Sequence, residues 1–172
     1  MEICIHFKNY QKRLCKNYSV NSSIIRFGSI YGPGSDASNG LHEIILGALT
    51  KDSIKYQGDS ESMREYIHIS DAIRACVEIS GLDINGSKSY LVTGDKLLKV
   101  KDVLLMIKEM LNINKPIEFE GRHDSGHYIA TPYSYSPSAA KKYQVSDTLD
   151  FSHGLWELIH YIVTVENFKG SE

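Results

Sequence analysis

The chain has 172 residues, of which 42% are hydrophobic and 23% charged, with a net charge of -2. This length suits one domain, or one and a fraction, with a real core, and the near-neutral charge leaves no basic excess for a nucleic-acid backbone. No apolar run reaches the roughly 18 to 20 residues that span a bilayer, and Glu2, His6 and Lys8 interrupt the amino terminus, so a cytoplasmic protein without a membrane partner is expected.

Ile3, Phe7, Tyr10, Leu14 and Tyr18 recur at helical spacing among lysines and an arginine, which predicts an amphipathic helix. Ser23 to Ile30 is a mostly apolar run too short for a helix and closed by Gly32-Pro33-Gly34, which suits a strand buried on both faces. Leu41, Ile44, Ile45, Ala48 and Leu49 mark a second helix, and Ile54 alternating with Tyr56 before Gly58-Asp59 marks a short strand and turn. Tyr66 to Ile69 reads as extended. Ser70 and Asp71 then offer a cap and an acidic first turn to a helix whose expected inner face carries Ile73, Cys76 and Val77.

Ser89 to Thr93 is a predicted strand ending at Gly94, and Val100, Val103, Leu104, Ile107 and Leu111 form the clearest helical stripe of the chain. A strand at Ile117 to Phe119 follows, then an irregular polar segment from Gly121 to Tyr135. Ser136-Pro137 has the form of a cap followed by proline at the first helical position, predicting a short helix through Lys142. Leu155, Leu158, Ile159, Ile162 and Val163 predict the last helix. Strands alternating with helices place the chain in the α/β class with partly parallel pairing.

Cys4, Cys15 and Cys76 are widely spaced without a CxxC, which suggests packed, reduced thiols rather than a disulfide framework or zinc knuckle. Ser29 followed by the glycine turn would place a hydroxyl and open backbone at the carboxyl edge of a sheet, where α/β proteins bind ligands; a plain strand-to-loop turn explains the same residues. Arg64 and Arg122 each have the donors to grip a phosphate, and each fits equally a surface ion pair. His123, Asp124 and His127 are of metal-ligand type, yet no helix is predicted to align them and no cluster completes a site, so no metal is expected. Tyr128, Tyr133, Tyr135 and Tyr143 crowd one segment, either to stack on a base or to hold the loop down. No GxSxG occurs, which leaves a hydrolase reading without a nucleophile elbow.

Taken in order, four stretches carry a resemblance: "SIIRFGSIYGPGSD", "IKYQGDSESMREYIHISDAIRACV", "SYLVTGDKLLKVKDVLLMIKEML" and "SPSAAKKYQVSDTLDFSHGLWELI". They resemble the carboxyl-terminal part of the NAD-dependent epimerase/dehydratase family, the extended short-chain dehydrogenases, whose signatures include R-x-x-N-x-Y-G-P and R-D-F-I-H-V-x-D. The resemblance implies an α/β, Rossmann-like fold: residues 1–32 would end the Rossmann domain, and 33–172 would form a substrate-binding lobe with segments returning to the sheet. It further implies that Arg64 and Arg122 hold the diphosphate of a nucleoside-diphosphate sugar, that Tyr56 lies beside the nucleobase, and that Ser29 replaces the family's asparagine near the substrate. Phe27 and Gly28 would lie near the nicotinamide of NAD, and a homodimer would use Phe7, Tyr10 and Leu14.

Glu65 stands where the family has aspartate. The family's glycine-rich NAD turn and its Tyr-x-x-x-Lys pair do not occur: none of the eleven tyrosines has a lysine four residues on. The expectation is a carboxyl-terminal part of an epimerase or dehydratase with no catalytic residue of its own and no activity alone. A stand-alone nucleotide-sugar binding module and a gene remnant are the alternatives.

Overall fold

The computed structural model describes residues 21–121 and 140–169, the side chains of the last four excepted. Strand β1 (Ser22–Phe27) and strand β2 (Ser29–Tyr31) are one extended stretch that changes partners at Gly28. Helix α1 (Gly40–Thr50), strands β3 (Ile54–Tyr56) and β4 (Met63–His68), and helix α2 (Ile69–Ser80) follow. Then come strands β5 (Ser87–Val92) and β6 (Leu97–Lys99), helix α3 (Val100–Met110), strands β7 (Ile117–Phe119) and β8 (Lys141–Tyr143), and helix α4 (Phe151–Lys169). The architecture is α/β and Rossmann-like, with one sheet ordered β1-β5-β8, a second ordered β2-β4-β6, and a pair β3-β7. All pairs are parallel except β4 with β6.

The change of partner at Gly28 organises the molecule. β1 lies along β5 with Phe27 opposite Val92, and the Gly28 N–H still bonds the Val92 carbonyl at 2.9 Å. One residue later, Ser29 lies opposite Tyr66 on β4. A side chain at Gly28 would stand 3.0 Å from the Glu65 carbonyl oxygen and 3.1 Å from Thr93 Cγ2, so it would press the two sheets apart by a few tenths of an ångström.

Two cores result. One packs Ala72, Ala75 and Ile79 of α2 on Tyr90, Val92 and Ile67, with Ile25, Phe27 and Tyr143 at its margin. The larger one joins α1, α3 and α4 through Ile45, Leu104, Ile107, Leu155, Leu158 and Ile162, each essentially sealed from solvent. Such a side chain contributes about 1.5–3 kcal/mol by leaving water. Asn39 starts α1, its side chain accepting the Leu41 and His42 N–H groups. α3 has no side-chain cap; the Val100 N–H instead donates to the Ser62 carbonyl at 2.8 Å.

Several expectations change. The β1 strand, expected to be buried on both faces, is half-buried along its length, being the edge of its sheet among the described residues. α2 begins one residue earlier than its predicted cap: His68, not Ser70, is the N-cap. Its inner face carries Ala72, Ala75 and Ile79, while Ile73 and Val77 are 58% and 66% exposed and Cys76 is an exposed free thiol rather than a packed one. The small residues face inward because the helix lies close on the sheet. Lys141 and Lys142, predicted to end a helix, belong to β8, where Tyr143 meets Tyr90 edge to face at 6.0 Å. The predicted first helix with Phe7, Tyr10 and Leu14, Cys4 and Cys15, and the segment holding Arg122, His123, Asp124 and His127 lie outside the described residues.

Candidate functional site

Alternation along β4 sends Arg64, Tyr66 and His68 to one face and Glu65 and Ile67 to the other. Because Ser29 is in register with Tyr66, Ser29 and Tyr31 share the first face. Arg64 reaches from that face to β3: Nη2 donates to the Tyr56 hydroxyl at 3.4 Å, and Nη1 donates to its own strand at the Met63 carbonyl, 2.8 Å. Tyr56 in turn stands edge-on to Phe119 of β7, ring centroids 6.2 Å apart. A side chain at Gly58 would strike the Tyr56 ring at 2.7 Å, so the turn after β3 is bare where the ring lies over it. The structure thus brings Arg64 and Tyr56 into contact and puts Ser29 further along the same face.

Phe27 turns the other way, its ring packing at the margin of the α2 core. Gly28 lies at the carboxyl end of β1, its side-chain space already taken by Glu65 and Thr93. Glu65, on the opposite face from Arg64, is nearly buried; its Oε1 accepts from Lys142 Nζ of β8 at 2.9 Å, and its Oε2 has no hydrogen-bond partner among the described residues.

Sequence reasoning did not assemble the polar cluster at the other end of the same face. Tyr31 meets His68 at 5.3 Å and Tyr66 at 6.1 Å between ring centroids, both nearly edge to face, and Phe151 of α4 packs on both tyrosines. Burial pushes both phenols well above the usual tyrosine range, and nearby carboxylates, Asp71 first, push Tyr31 further. Asp71 receives the Leu149 N–H at 3.0 Å, while Arg74 donates to the Ser146 and Asp147 carbonyls, together holding the segment that leads into α4. A small cleft lined by Tyr31, Tyr66, His68, Asp71, Lys96 and Phe151 has room for about one water molecule. Ser29, Tyr56 and Arg64 do not line it. The available signal was a histidine just before Ser70-Asp71, where a cap is expected.

Comparison with known proteins shows what this arrangement resembles. The model of the NAD dependent epimerase/dehydratase family matches residues 5–88, which include β1, β2, Tyr56, Arg64 and all of α2. Over this stretch the chain resembles the NAD-dependent epimerase/dehydratase family. A curated relative is dTDP-4-dehydro-6-deoxy-D-allose reductase of Streptomyces bikiniensis, 24% identical over 121 residues that cover 68% of this chain and 35% of that protein. Among solved structures, UDP-glucuronic acid 4-epimerase from Bacillus cereus, in complex with UDP-glucuronic acid and NAD, has a TM-score of 0.72 at 20% identity, covering 90% of this chain and 50% of that one. UDP-glucose 4-epimerase from Thermotoga maritima, solved with UDP-glucose, gives 0.63 at 15% identity, over 92% and 51%. The chain therefore spans about half the length of these solved epimerases and shares their fold. NAD is the cofactor of the epimerase/dehydratase family. No described helix is long and apolar enough to cross a membrane.

Proposed function

We propose that this chain is a nucleotide-sugar-binding part of an epimerase or dehydratase, with Arg64 on the diphosphate and Tyr56 beside the nucleobase. The observation that carries the reading is the Arg64–Tyr56 contact: a guanidinium steadied by its own backbone donates to the hydroxyl of a tyrosine whose ring stands against Phe119 and over Gly58. A diphosphate needs paired N–H donors, and a base needs a flat apolar surface. Ser29 on the same face would meet the sugar with a hydroxyl where the family presents an amide, and Arg122 would be the second diphosphate contact. Residues 1–32 are assigned to the end of the Rossmann domain and 33–172 to the substrate lobe with segments returning to the Rossmann sheet, in a cytoplasmic, homodimeric enzyme.

For NAD the described residues form a border rather than a cradle. The Phe27 ring is committed to the core and the space beside Gly28 is filled by Glu65 and Thr93, leaving only backbone for the nicotinamide end. The 172 residues also lack the glycine-rich turn and the Tyr-x-x-x-Lys pair. No chemical step is therefore assigned to this chain, and it is expected to turn over no sugar nucleotide alone.

Calorimetric titration with UDP and dTDP tests the reading. The chain is expected to bind one of them, and Arg64→Ala to weaken it by roughly 10- to 100-fold, the worth of charge-assisted hydrogen bonds to a phosphate. An Arg64→Ala variant that binds as tightly as the parent removes the diphosphate assignment. Tight NAD binding by the same chain would refute its expected inactivity as argued from the missing motifs.

A further inference from the structure

We infer that His68 is a pH-sensitive latch: as a neutral ring it fastens the amino end of α2 to β4, and as an imidazolium it releases it. Three contacts meet on this ring. Nδ1 accepts the Ser70 N–H that opens α2, and it also lies 2.8 Å from Ser70 Oγ. A neutral imidazole whose Nδ1 accepts carries its proton on Nε2, and Nε2 faces Glu157 Oε2 of α4 at 3.5 Å without a hydrogen-bond partner among the described residues, a contact that a second proton on the ring would strengthen. The other oxygen of Glu157 faces His153 Nε2 at 3.4 Å, so one carboxylate stands between a histidine side chain that is 4% exposed and one that is 63% exposed.

The ring has little room to swing. Tyr31 lies edge-on to it, and α4 approaches through Gly154, where an added side chain would stand 3.0 Å from the His68 Cδ2. A second proton can enter only at Nδ1, which turns the acceptor of the cap into a donor facing another donor, the Ser70 N–H. The Ser70 hydroxyl can adapt; the backbone N–H cannot.

The charged and titratable groups around the ring are Tyr31 of β2, Asp71 of α2, Glu157 and His153 of α4, and Asp95 and Lys96 across the cleft. Glu157 and Asp71 favour the imidazolium, a charged His153 opposes it, and burial opposes it most, which keeps the ring neutral near pH 7. The latch does not rest on the proposed function, although Arg64 lies on the strand it fastens.

Amide hydrogen exchange of the 172-residue chain, corrected for intrinsic rates, tests it on either side of the roughly 6.5 of a free imidazole, at about pH 7.5 and about pH 5.5. Protection of the first turn of α2 is expected to fall by up to roughly tenfold per pH unit, the limit for one linked proton. His68→Asn, which keeps an acceptor for the cap and cannot titrate, is expected to hold its protection at both values. His153→Asn is expected to keep the fall. Unchanged protection in the parent chain, or an equal fall in His68→Asn, overturns the latch. If His68→Asn does not fold, two measurements remain: Glu157→Gln must move the transition to lower pH, and ring nitrogen shifts must report the Nε2–H tautomer titrating together with the loss of protection. A ring that titrates elsewhere, or a transition that Glu157→Gln leaves in place, overturns it equally.

Discussion

At Gly94 a methyl group would land on the Tyr66 carbonyl oxygen, a backbone atom that cannot turn aside as a side chain can. Gly94→Ala is therefore expected to cost at least about 3 kcal/mol, read from thermal or urea unfolding. Charge gives a sharper contrast. Glu65 is nearly buried, and Lys142 is its partner; Lys142→Met leaves a buried carboxylate unpaired and is expected to cost about 2 kcal/mol. Lys55 and Glu118 also form a pair, but both are about half exposed, so Lys55→Met is expected to cost under about 0.5 kcal/mol. Equal losses in the two lysine variants would show that burial does not decide their worth. Gly94 is visible in the sequence as the end of a strand, but the carbonyl that forbids a side chain there comes from a strand nearly thirty positions earlier, and no local pattern announces it.

Among the elements, α1 and α3 were legible because their sealed residues, Leu41, Ile45 and Ala48 in one and Val100, Val103, Leu104 and Ile107 in the other, follow the helical period. α2 was not, since two apolar stripes compete and the smaller side chains win the inner face. A helix lying close on a sheet needs alanine at the contact, and hydrophobicity alone favours Ile73 and Val77 instead. Ala75→Leu is expected to cost about 1–3 kcal/mol by overpacking, whereas Val77→Lys at the exposed face is expected to stay within about 0.5 kcal/mol; denaturant midpoints distinguish the two faces. At the start of α1, Asn39→Ala removes the acceptor for two N–H groups and the donor to the Ile30 carbonyl, for an expected loss of about 1–2 kcal/mol in the same measurement.

The whole molecule responds to pH through groups with opposite shifts. His68 is held below the usual 6.5 chiefly by burial, so between its two values the unfolded chain binds more protons than the folded one. Its contribution is fully present above about 6.5 and is lost as pH falls. Asp36 and Asp150 are held below 3.8, chiefly by hydrogen bonds from the Ser38 and Ser152 side chains; their contribution is present above that value and is lost as pH falls further. Tyr31 and Tyr66, raised by burial, add stability that is present below about 10 and lost as pH rises. Urea midpoints against pH are therefore expected to decline on both sides of neutrality, and His68→Asn is expected to flatten only the first acid step. A profile in which that step persists would assign it to another group.

The α/β class, most of the strands and helices, and Arg64 and Tyr56 as candidates were determined by the sequence, because periodicity, turn residues and short motifs are local properties of the chain. Tertiary structure decided the rest. The crossing of two sheets at Gly28, the inner face of α2, the strand at Lys141–Tyr143 and the meeting of His68 with Glu157 each depend on residues far apart in the chain. In each case packing and the satisfaction of buried polar groups outweigh a local preference, since only the folded chain brings the competing partners together.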